Sequence, residues 1–228
     1  MKSNLKFGVI FLLLAGLPAT GVSLWQSMFE RVLAGYIAFS FFATGLAYVF
    51  NSPRFWLKRS NGKIHPASFL VLAPMHILNW LSLWLAIRLQ KEAAFHEIKP
   101  GLWLGRRLIA GEAEFFRPNQ AAVVDMTSEF SENSGLLNHP YLCLPTLDRT
   151  APDAKQLKTA IAFIFLHHKV FVHCAVGHGR SATVVAAWLL RQDRTLNVET
   201  AVQQIKAIRP GVNLNSDQVA VLGKIKNG

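Results

Sequence analysis

Three long apolar stretches dominate the first 91 residues of this 228-residue chain. They cover about residues 7–25, 32–50 and 69–87. A helix rises about 1.5 Å per residue, and about 20 apolar residues cross the hydrocarbon core of a bilayer. The pattern therefore predicts about three transmembrane helices within residues 1–91, and a multi-pass membrane protein.

Charge is distributed unevenly along the chain. Residues 1–91 contain nine Lys and Arg side chains and one acid, Glu30, whereas residues 92–228 contain 15 basic and 12 acidic side chains. The net charge of +11 therefore comes mainly from the apolar part, where basic residues commonly flank membrane spans. This distribution argues against a nucleic-acid partner, and the second part has the charge balance of a soluble domain.

Two of the stretches allow another interpretation. Lys2 and Lys6 before an apolar run are also typical of a signal peptide, although the run is long and no clear Ala-x-Ala site follows it. The third stretch contains Pro74, His76 and Asn79, so a helix on the membrane surface or buried in the protein is the alternative there.

The number of spans decides on which side of the membrane the rest of the chain lies. Four basic residues separate the second and third stretches: Arg54, Lys58, Arg59 and Lys63. The positive-inside rule places this loop in the cytoplasm. Three spans then put the second part on the extracytoplasmic side, whereas a third helix lying on the surface would return it to the cytoplasm.

From about His96 the sequence changes to short β-rich runs that alternate with helical patterns. Strands are predicted at 102–104, 121–125, 141–144 and 169–173, and helices at about 152–167, 181–190, 197–208 and 215–225. Strands that alternate with helices are typical of an α/β fold with a central, mostly parallel sheet. We therefore expect one α/β domain over residues 96–228.

The segment over residues 170–181 carries the chemistry that the sequence predicts. It reads Val-Phe-Val-His-Cys-Ala-Val-Gly-His-Gly-Arg-Ser, which predicts a buried strand ending at Cys174, a loop with two glycines, and a helix beginning near Arg180. Glycines allow a tight turn, and the amides of such a loop converge with the positive end of the helix dipole. This arrangement binds an anion of phosphate size.

Cys174 and Arg180 suit such a site for different reasons. A planar guanidinium can bind two phosphate oxygens at once. The same positive field lowers the pKa of a thiol, so Cys174 is expected to be a thiolate nucleophile at neutral pH.

A phosphoryl transfer to Cys174 also needs a proton donor for the leaving oxygen. Asp148 lies in a loop between a predicted strand and a predicted helix, and it is the preferred general acid. Asp153 is the alternative, but directly after Pro152 it is better explained as an acid in the first turn of a helix.

The pattern His-Cys-x5-Arg-Ser after a strand resembles the signature loop of the cysteine-based protein tyrosine phosphatases. The short domain, with Asp148 upstream of the cysteine, is similar to their dual-specificity branch. Three further segments resemble parts of that family: residues 100–105, 123–127 and 207–210. The resemblance covers roughly residues 96–226 and none of the apolar part.

The resemblance implies a role for each residue of the motif. Cys174 would be the nucleophile of a phosphocysteine intermediate, and Asp148 would donate a proton and later activate water. Ser181 would hydrogen-bond the sulfur, and His173 would support the loop from below. The phosphoryl group would be bound by the loop residues Ala175, Val176, Gly177, His178, Gly179 and Arg180. No metal and no cofactor are implied.

Three classes of function are compatible with the motif. The first is a phosphatase, which the presence of Cys174, Arg180 and Asp148 favours. The second is a sulfurtransferase of the rhodanese type, whose loop usually lacks the paired Asp and the Arg-Ser ending. The third is a catalytically silent, membrane-anchored module that only binds phosphate.

Two further questions are left open by the sequence. The substrate is either a protein phosphorylated on Tyr, Ser or Thr, or the head group of a phospholipid in the bilayer that holds the chain. The second cysteine, Cys143, is expected in the core, with a disulfide to Cys174 in an oxidising compartment as the alternative.

Overall fold

Two long apolar helices precede the α/β part of the molecule. The structure is a computed structural model that describes residues 2–22 and 27–227. Helices α1 (Ser3–Gly21) and α2 (Met28–Val49) pack side by side as a hairpin. Both are long and apolar enough to cross a membrane, judged by length and composition. Of the 18-residue apolar stretch in each helix, only 11% is buried in α1 and 39% in α2. The end of the first predicted stretch, residues 23–26, lies outside the described residues.

Small residues bring the two helices of the hairpin close together. A Cβ on Gly8 of α1 would lie 2.8 Å from the side chain of Val49. A Cβ on Gly45 of α2 would lie 2.8 Å from the side chain of Leu12. Such glycines allow close helix contact, which is a main source of helix association in lipid.

The third apolar stretch does not form a third candidate span among the described residues. It is divided at Leu72 into α3 (Pro66–Val71) and α4 (Ala73–Gln90), because Pro74 favours a new helix start. One side of α4 packs on the α/β part, where Leu83 is buried with Phe130 and Ala175. The expectation of about three transmembrane helices is therefore corrected to two candidates.

The α/β part is built on a five-stranded sheet with the order β1-β2-β5-β3-β4. The strands are β1 (Phe95–Lys99), β2 (Leu102–Arg106), β3 (Ala122–Thr127), β4 (Tyr141–Thr146) and β5 (Val170–Cys174). Strand β1 is antiparallel to β2, and the other neighbouring pairs are parallel. The predicted α/β fold is confirmed, and the sheet is mixed because of the edge strand β1, which its polar sequence did not predict.

Helices cover both faces of this sheet. One face carries four of them: α6 (Ala154–Leu166), α7 (Arg180–Gln192), α8 (Val198–Ile208) and α9 (Ser216–Asn227). The other face carries the short α5 (Phe116–Asn119). Alternation along β5 sends Val172 to the first face and Phe171 to the second, so the strand is buried on both sides. Cys174 thus lies at the carboxyl end of a central parallel strand, where α/β sheets commonly bind ligands.

A lysine joins the segment between α2 and α3 to the core of the α/β part. The Lys58 ammonium donates to the carboxylate of Asp125 and, at 2.6 Å, to the hydroxyl of Thr127. The side chains of Lys58 and Asp125 are fully buried. The segment that follows the apolar hairpin is therefore fixed to the sheet by a buried ion pair.

Candidate active site

The loop between β5 and α7 wraps around the sulfur of Cys174. The backbone N–H of Gly177 and the hydroxyl of Ser181 each donate to Sγ over 3.2 Å. Gly177 has a φ of 84°, and a Cβ there would lie 2.5 Å from the carbonyl of Gly105 on β2. Both the turn and the close contact therefore require glycine at this position.

The thiol of Cys174 is set up to ionise. Its burial opposes ionisation, but the charge of Arg180 and the hydrogen bonds from Ser181 and Gly177 outweigh burial, so the pKa of Cys174 lies below its usual value. A thiolate at the floor of a loop is a strong nucleophile.

The guanidinium of Arg180 is buried beside this sulfur and is held by several acceptors. Glu129 accepts two hydrogen bonds, at 3.0 Å from Nη1 and 2.7 Å from Nη2. The carbonyl of Thr146 accepts at 2.8 Å, and the carboxylate of Asp148 accepts at 3.0 Å. Burial alone would lower the pKa of Arg180, but Glu129 and Asp148 raise it well above its usual value, so the side chain stays charged. Within the described part of the chain, the buried Nε has no hydrogen-bond partner.

Glu129 is a site residue that the sequence analysis missed. It is 5% exposed, and it follows the end of β3. Although burial raises the pKa of Glu129, the charge of Arg180 lowers it below its usual value. An acid close to a predicted buried strand was the only signal in the sequence that could have indicated Glu129. Its partner, Arg180, lies 51 residues further along the chain, so the sequence did not link the two.

The two candidate acids occupy different surroundings. Asp148 lies at the open side of the site, with its side chain 55% exposed and one oxygen on Arg180. Asp153 caps α6, where its carboxylate accepts from the backbone N–H of Gln156 at 2.7 Å. The geometry therefore brings Asp148, and not Asp153, to the cysteine loop.

His173 lies beneath the loop in a buried polar cluster. Its Nε2 is 2.7 Å from a carboxylate oxygen of Glu132, and Asp125 is 3.8 Å away. Burial lowers the pKa of His173, but the two carboxylates outweigh it and raise the pKa above its usual value. Three such side chains could hold a metal ion. Here Lys58 already supplies a positive charge to Asp125, so the cluster is satisfied as an ion-pair network.

A second arginine supports the cysteine loop from the side. Arg209 donates to the carbonyls of Gly177 and Val176 at 3.1 and 3.0 Å. Glu92 links this arginine to the loop, because its carboxylate is 3.0 Å from Arg209 Nη2 and 2.5 Å from Nε2 of His178. The loop is therefore held by one residue that follows α8 and by one residue that precedes β1.

The second cysteine is separate from this site. Cys143 on β4 pairs in register with Asp125 on β3, and β3 lies between β4 and β5. Two strand spacings correspond to about 10 Å, which is beyond the reach of a disulfide between residues of β4 and β5. Both cysteines are free thiols.

A cavity of about 490 Å³ opens above Cys174. Its lining includes the side chains of Asp148, Arg180 and His178 from the α/β part. It also includes residues from the first turns of α1, namely Ser3, Lys6 and Phe7. The apolar hairpin therefore contributes one wall of the candidate active site.

Comparisons with known proteins agree with this geometry. Residues 117–227 match the family model described as dual specificity phosphatase, catalytic domain. The human phosphatidylglycerophosphatase and protein-tyrosine phosphatase 1 is 30% identical over 149 residues, which cover 56% of this chain and 71% of that protein. The rat dual specificity protein phosphatase 12 is 28% identical over 127 residues, or 52% of this chain and only 37% of that protein.

Solved structures show the same fold. A crystal structure of PTPMT1 in complex with PI(5)P has a TM-score of 0.54 at 23% identity, and covers 59% of this chain and 96% of its own. The structure of Tk-PTP in the active form has a TM-score of 0.53 at 26% identity, and covers 59% of this chain and 97% of its own. The chain thus belongs to the dual-specificity branch of the cysteine-based protein tyrosine phosphatase family.

Proposed function

We propose that this chain is a membrane-anchored phosphatase that hydrolyses phosphomonoesters through a phosphocysteine intermediate on Cys174. One observation carries the proposal: the sulfur with a lowered pKa lies at the floor of a cavity that Arg180 and Asp148 also line. A nucleophile, an anion-binding group and a proton donor are the parts that phosphoryl transfer needs.

The first step forms the phosphocysteine. The phosphoryl oxygens bind to the loop amides at residues 175–180 and to Arg180, whose plane Glu129 fixes. An entering phosphoryl group competes with Asp148 for Arg180, which releases the carboxyl group towards the leaving oxygen. The sulfur attacks phosphorus, the ester P–O bond breaks, and the protonated Asp148 gives its proton to the leaving oxygen.

The second step returns the free enzyme. Asp148, now a carboxylate, accepts a proton from water as the water oxygen attacks phosphorus. The S–P bond breaks, inorganic phosphate leaves, and the thiolate re-forms. The hydroxyl of Ser181 stabilises the departing sulfur, because it already donates to Sγ at 3.2 Å.

Hydrolysis of p-nitrophenyl phosphate by the full chain in detergent tests this function. We expect turnover that is lost in Cys174→Ser, while binding of inorganic phosphate is retained. A chain that binds phosphate without turnover would be a silent module. Sulfur transfer from thiosulfate to cyanide without phosphate release would instead indicate a rhodanese-type enzyme.

The proposed anchor is the α1–α2 hairpin. The start of α1 and the end of α2 both lie at the α/β part. The backbone N–H of Ser3 donates to Asp217 on α9 at 2.5 Å, and Asn4 donates to the carbonyl of Tyr48 at 3.2 Å. Two spans therefore leave the N-terminus and the active site on the same side of the membrane. The positive-inside rule makes that side the cytoplasm, which reverses the side expected from three spans.

Helices α3 and α4 complete the anchor as interfacial helices in this proposal. They expose several large apolar residues: Leu70 77%, Ile77 66%, Trp84 53% and Leu89 75%. A helix with one side on a folded domain and an apolar side exposed is suited to the surface of a bilayer. The active site is thereby held close to the lipid.

The proposed substrate is the head group of a phospholipid. Two relatives support this class by their names, the human protein described above and the phosphatidylglycerophosphate phosphatase PTPMT2 of Arabidopsis thaliana, which is 34% identical over 87 residues. The name of the dual specificity protein phosphatase 12 supports a phosphoprotein as the second candidate, and so does the second half of the human protein's name, protein-tyrosine phosphatase. Phosphate release from phospholipids in mixed micelles, compared with release from phosphotyrosine and phosphothreonine peptides, distinguishes the two.

A further inference from the structure

The first two turns of α1 form a wall of the cavity that lies outside the matched family domain, which begins at residue 117. Ser3, Lys6 and Phe7 face the same space as Cys174. The hydrogen bond from the Ser3 backbone to Asp217 holds this end of α1 against α9. The wall is therefore a fixed part of the site.

Lys6 and Arg149 bring two positive charges to this wall. Over residues 2–22 and 27–227, the ammonium of Lys6 has neither an ion pair nor a hydrogen bond to the protein. The guanidinium of Arg149 lies 5.8 Å from the ring centre of Phe7, and it also lines the cavity. By contrast, Glu129 and Asp148 already neutralise Arg180 at the floor. The rim thus has a surplus of positive charge that favours a second anionic group.

An apolar track leads from Lys6 along α1. Ile10, Leu13 and Leu17 follow Lys6 at helical spacing on one face, and they are 47%, 70% and 68% exposed. In the two-span arrangement this face of α1 lies in the hydrocarbon layer. A lipid along it would have its acyl chains on the leucines and its head group at Lys6.

We propose that Lys6 and Arg149 form a second anion subsite, which binds a charged group next to the phosphomonoester of a membrane lipid. The substrate class is a glycerophospholipid whose head group carries a terminal phosphomonoester in addition to the phosphodiester. Lys6 is then a specificity-determining residue supplied by the anchor. This inference rests on the proposed phosphatase function of the same site.

Two lipids with identical acyl chains test the subsite with the full chain in mixed micelles. Dioleoyl phosphatidylglycerophosphate carries a phosphomonoester and a phosphodiester, whereas dioleoyl phosphatidic acid carries the phosphomonoester alone. We expect Lys6→Met to lower the ratio of kcat/KM for the first lipid to that for the second by about tenfold, mainly through KM, since a charged hydrogen bond is lost.

Two variants serve as controls. Lys158→Met removes an equal charge from the exposed side of α6, and should leave the ratio as in the wild type. Lys6→Arg keeps the charge, and should restore most of the ratio. An unchanged ratio in Lys6→Met would overturn the subsite. If the wild type hydrolyses p-nitrophenyl phosphate but neither lipid, the subsite proposal fails and the phosphatase function stands. If it hydrolyses none of the three compounds, the proposed phosphatase function fails as well.

Discussion

Cys174 and Cys143 have opposite surroundings, although both are at least partly buried. Arg180, Ser181 and the Gly177 amide lower the pKa of Cys174. Burial, followed by the charge of Asp125, raises the pKa of Cys143 to about 12. A single reagent therefore distinguishes the two thiols.

Alkylation by iodoacetamide as a function of pH measures the thiolate at Cys174. We expect a midpoint below the usual thiol pKa of about 8.5. Ser181→Ala should move the midpoint upwards, because it removes a hydrogen bond to the anion, so that less thiolate is present at neutral pH. Cys174→Ser is the control and should abolish the fast reaction, which leaves only the slow Cys143. A midpoint at or above 8.5 would contradict the assignment.

Asp148→Ala tests the general acid. A leaving group that departs as a stable anion needs little protonation, so kcat/KM for p-nitrophenyl phosphate, which reports the first chemical step, should fall only slightly. The kcat/KM for an alkyl phosphate should fall by about 100-fold or more, since proton donation to the leaving alcohol contributes that order of magnitude. Asp153→Ala is the matched control, because Asp153 caps α6 and should affect stability only. An equal fall of kcat/KM for both substrates in Asp148→Ala would assign the acid elsewhere.

At the scale of elements, the unit of β5, loop and α7 was predictable from the sequence. A β-rich run, two glycines and an apolar helical pattern all favour the same local structure. Strand β1 was missed because an edge strand needs little apolar sequence, and residues 95–99 are largely polar.

Glu129 and Glu132 were missed because their partners come from distant segments. The third apolar stretch was misjudged because hydropathy does not distinguish contact with lipid from contact with protein.

The loop that carries Asp148 is another feature that only the structure reveals. Leu147, next to the proposed acid, is 1% exposed. It packs in a cluster with Tyr48 of α2, Trp56 from the segment after α2, and Leu72 and Met75 around the break between α3 and α4. The apolar N-terminal part therefore positions the loop that carries Asp148, and it also forms one wall of the cavity.

Lys58→Met tests how the anchor segment is fixed to the sheet. The change leaves the buried carboxylate of Asp125 without its closest cation, and should lower the free energy of unfolding by about 3–5 kcal/mol. Arg59→Met, an exposed neighbour, should change it little. Denaturant unfolding of the full chain in detergent provides both values.

The destabilisation caused by Lys58→Met should become smaller as the pH falls. Burial raises the pKa of Asp125, but Lys58 and then His173 outweigh it and hold that pKa well below its usual value. The stabilisation is therefore present above the unfolded pKa of about 3.9, and is lost as the pH falls towards the folded pKa. The difference between Lys58→Met and the wild type should narrow below about pH 4. A constant difference would contradict the ion pair as its cause.

At the scale of the whole molecule, the apolar N-terminal part and the candidate active site form one unit. The hairpin lines the cavity, the segment after it inserts Lys58, and α4 covers the α/β part beside Ala175. The proposed arrangement with two spans accounts for these contacts, because it leaves the first turns of α1, the segment after α2, and α4 on the same side of the membrane as the site.

Labelling of single cysteines in sealed right-side-out vesicles tests this topology. In a Cys143→Ser, Cys174→Ser background, Ser27→Cys between the two spans should react with an impermeant maleimide from outside. Lys226→Cys near the end of α9 should react only after the vesicles are opened. Reaction of Lys226→Cys from outside would instead support three spans and an extracytoplasmic active site.

Trapping of the covalent intermediate tests the central claim most directly. The full chain would be mixed with a radiolabelled aryl phosphate and quenched in acid within milliseconds, with Asp148→Ala used to slow the second step. We predict label on the peptide that contains Cys174, in greater amount in Asp148→Ala, and no label in Cys174→Ser. Turnover of the substrate with no label on Cys174 would contradict the account.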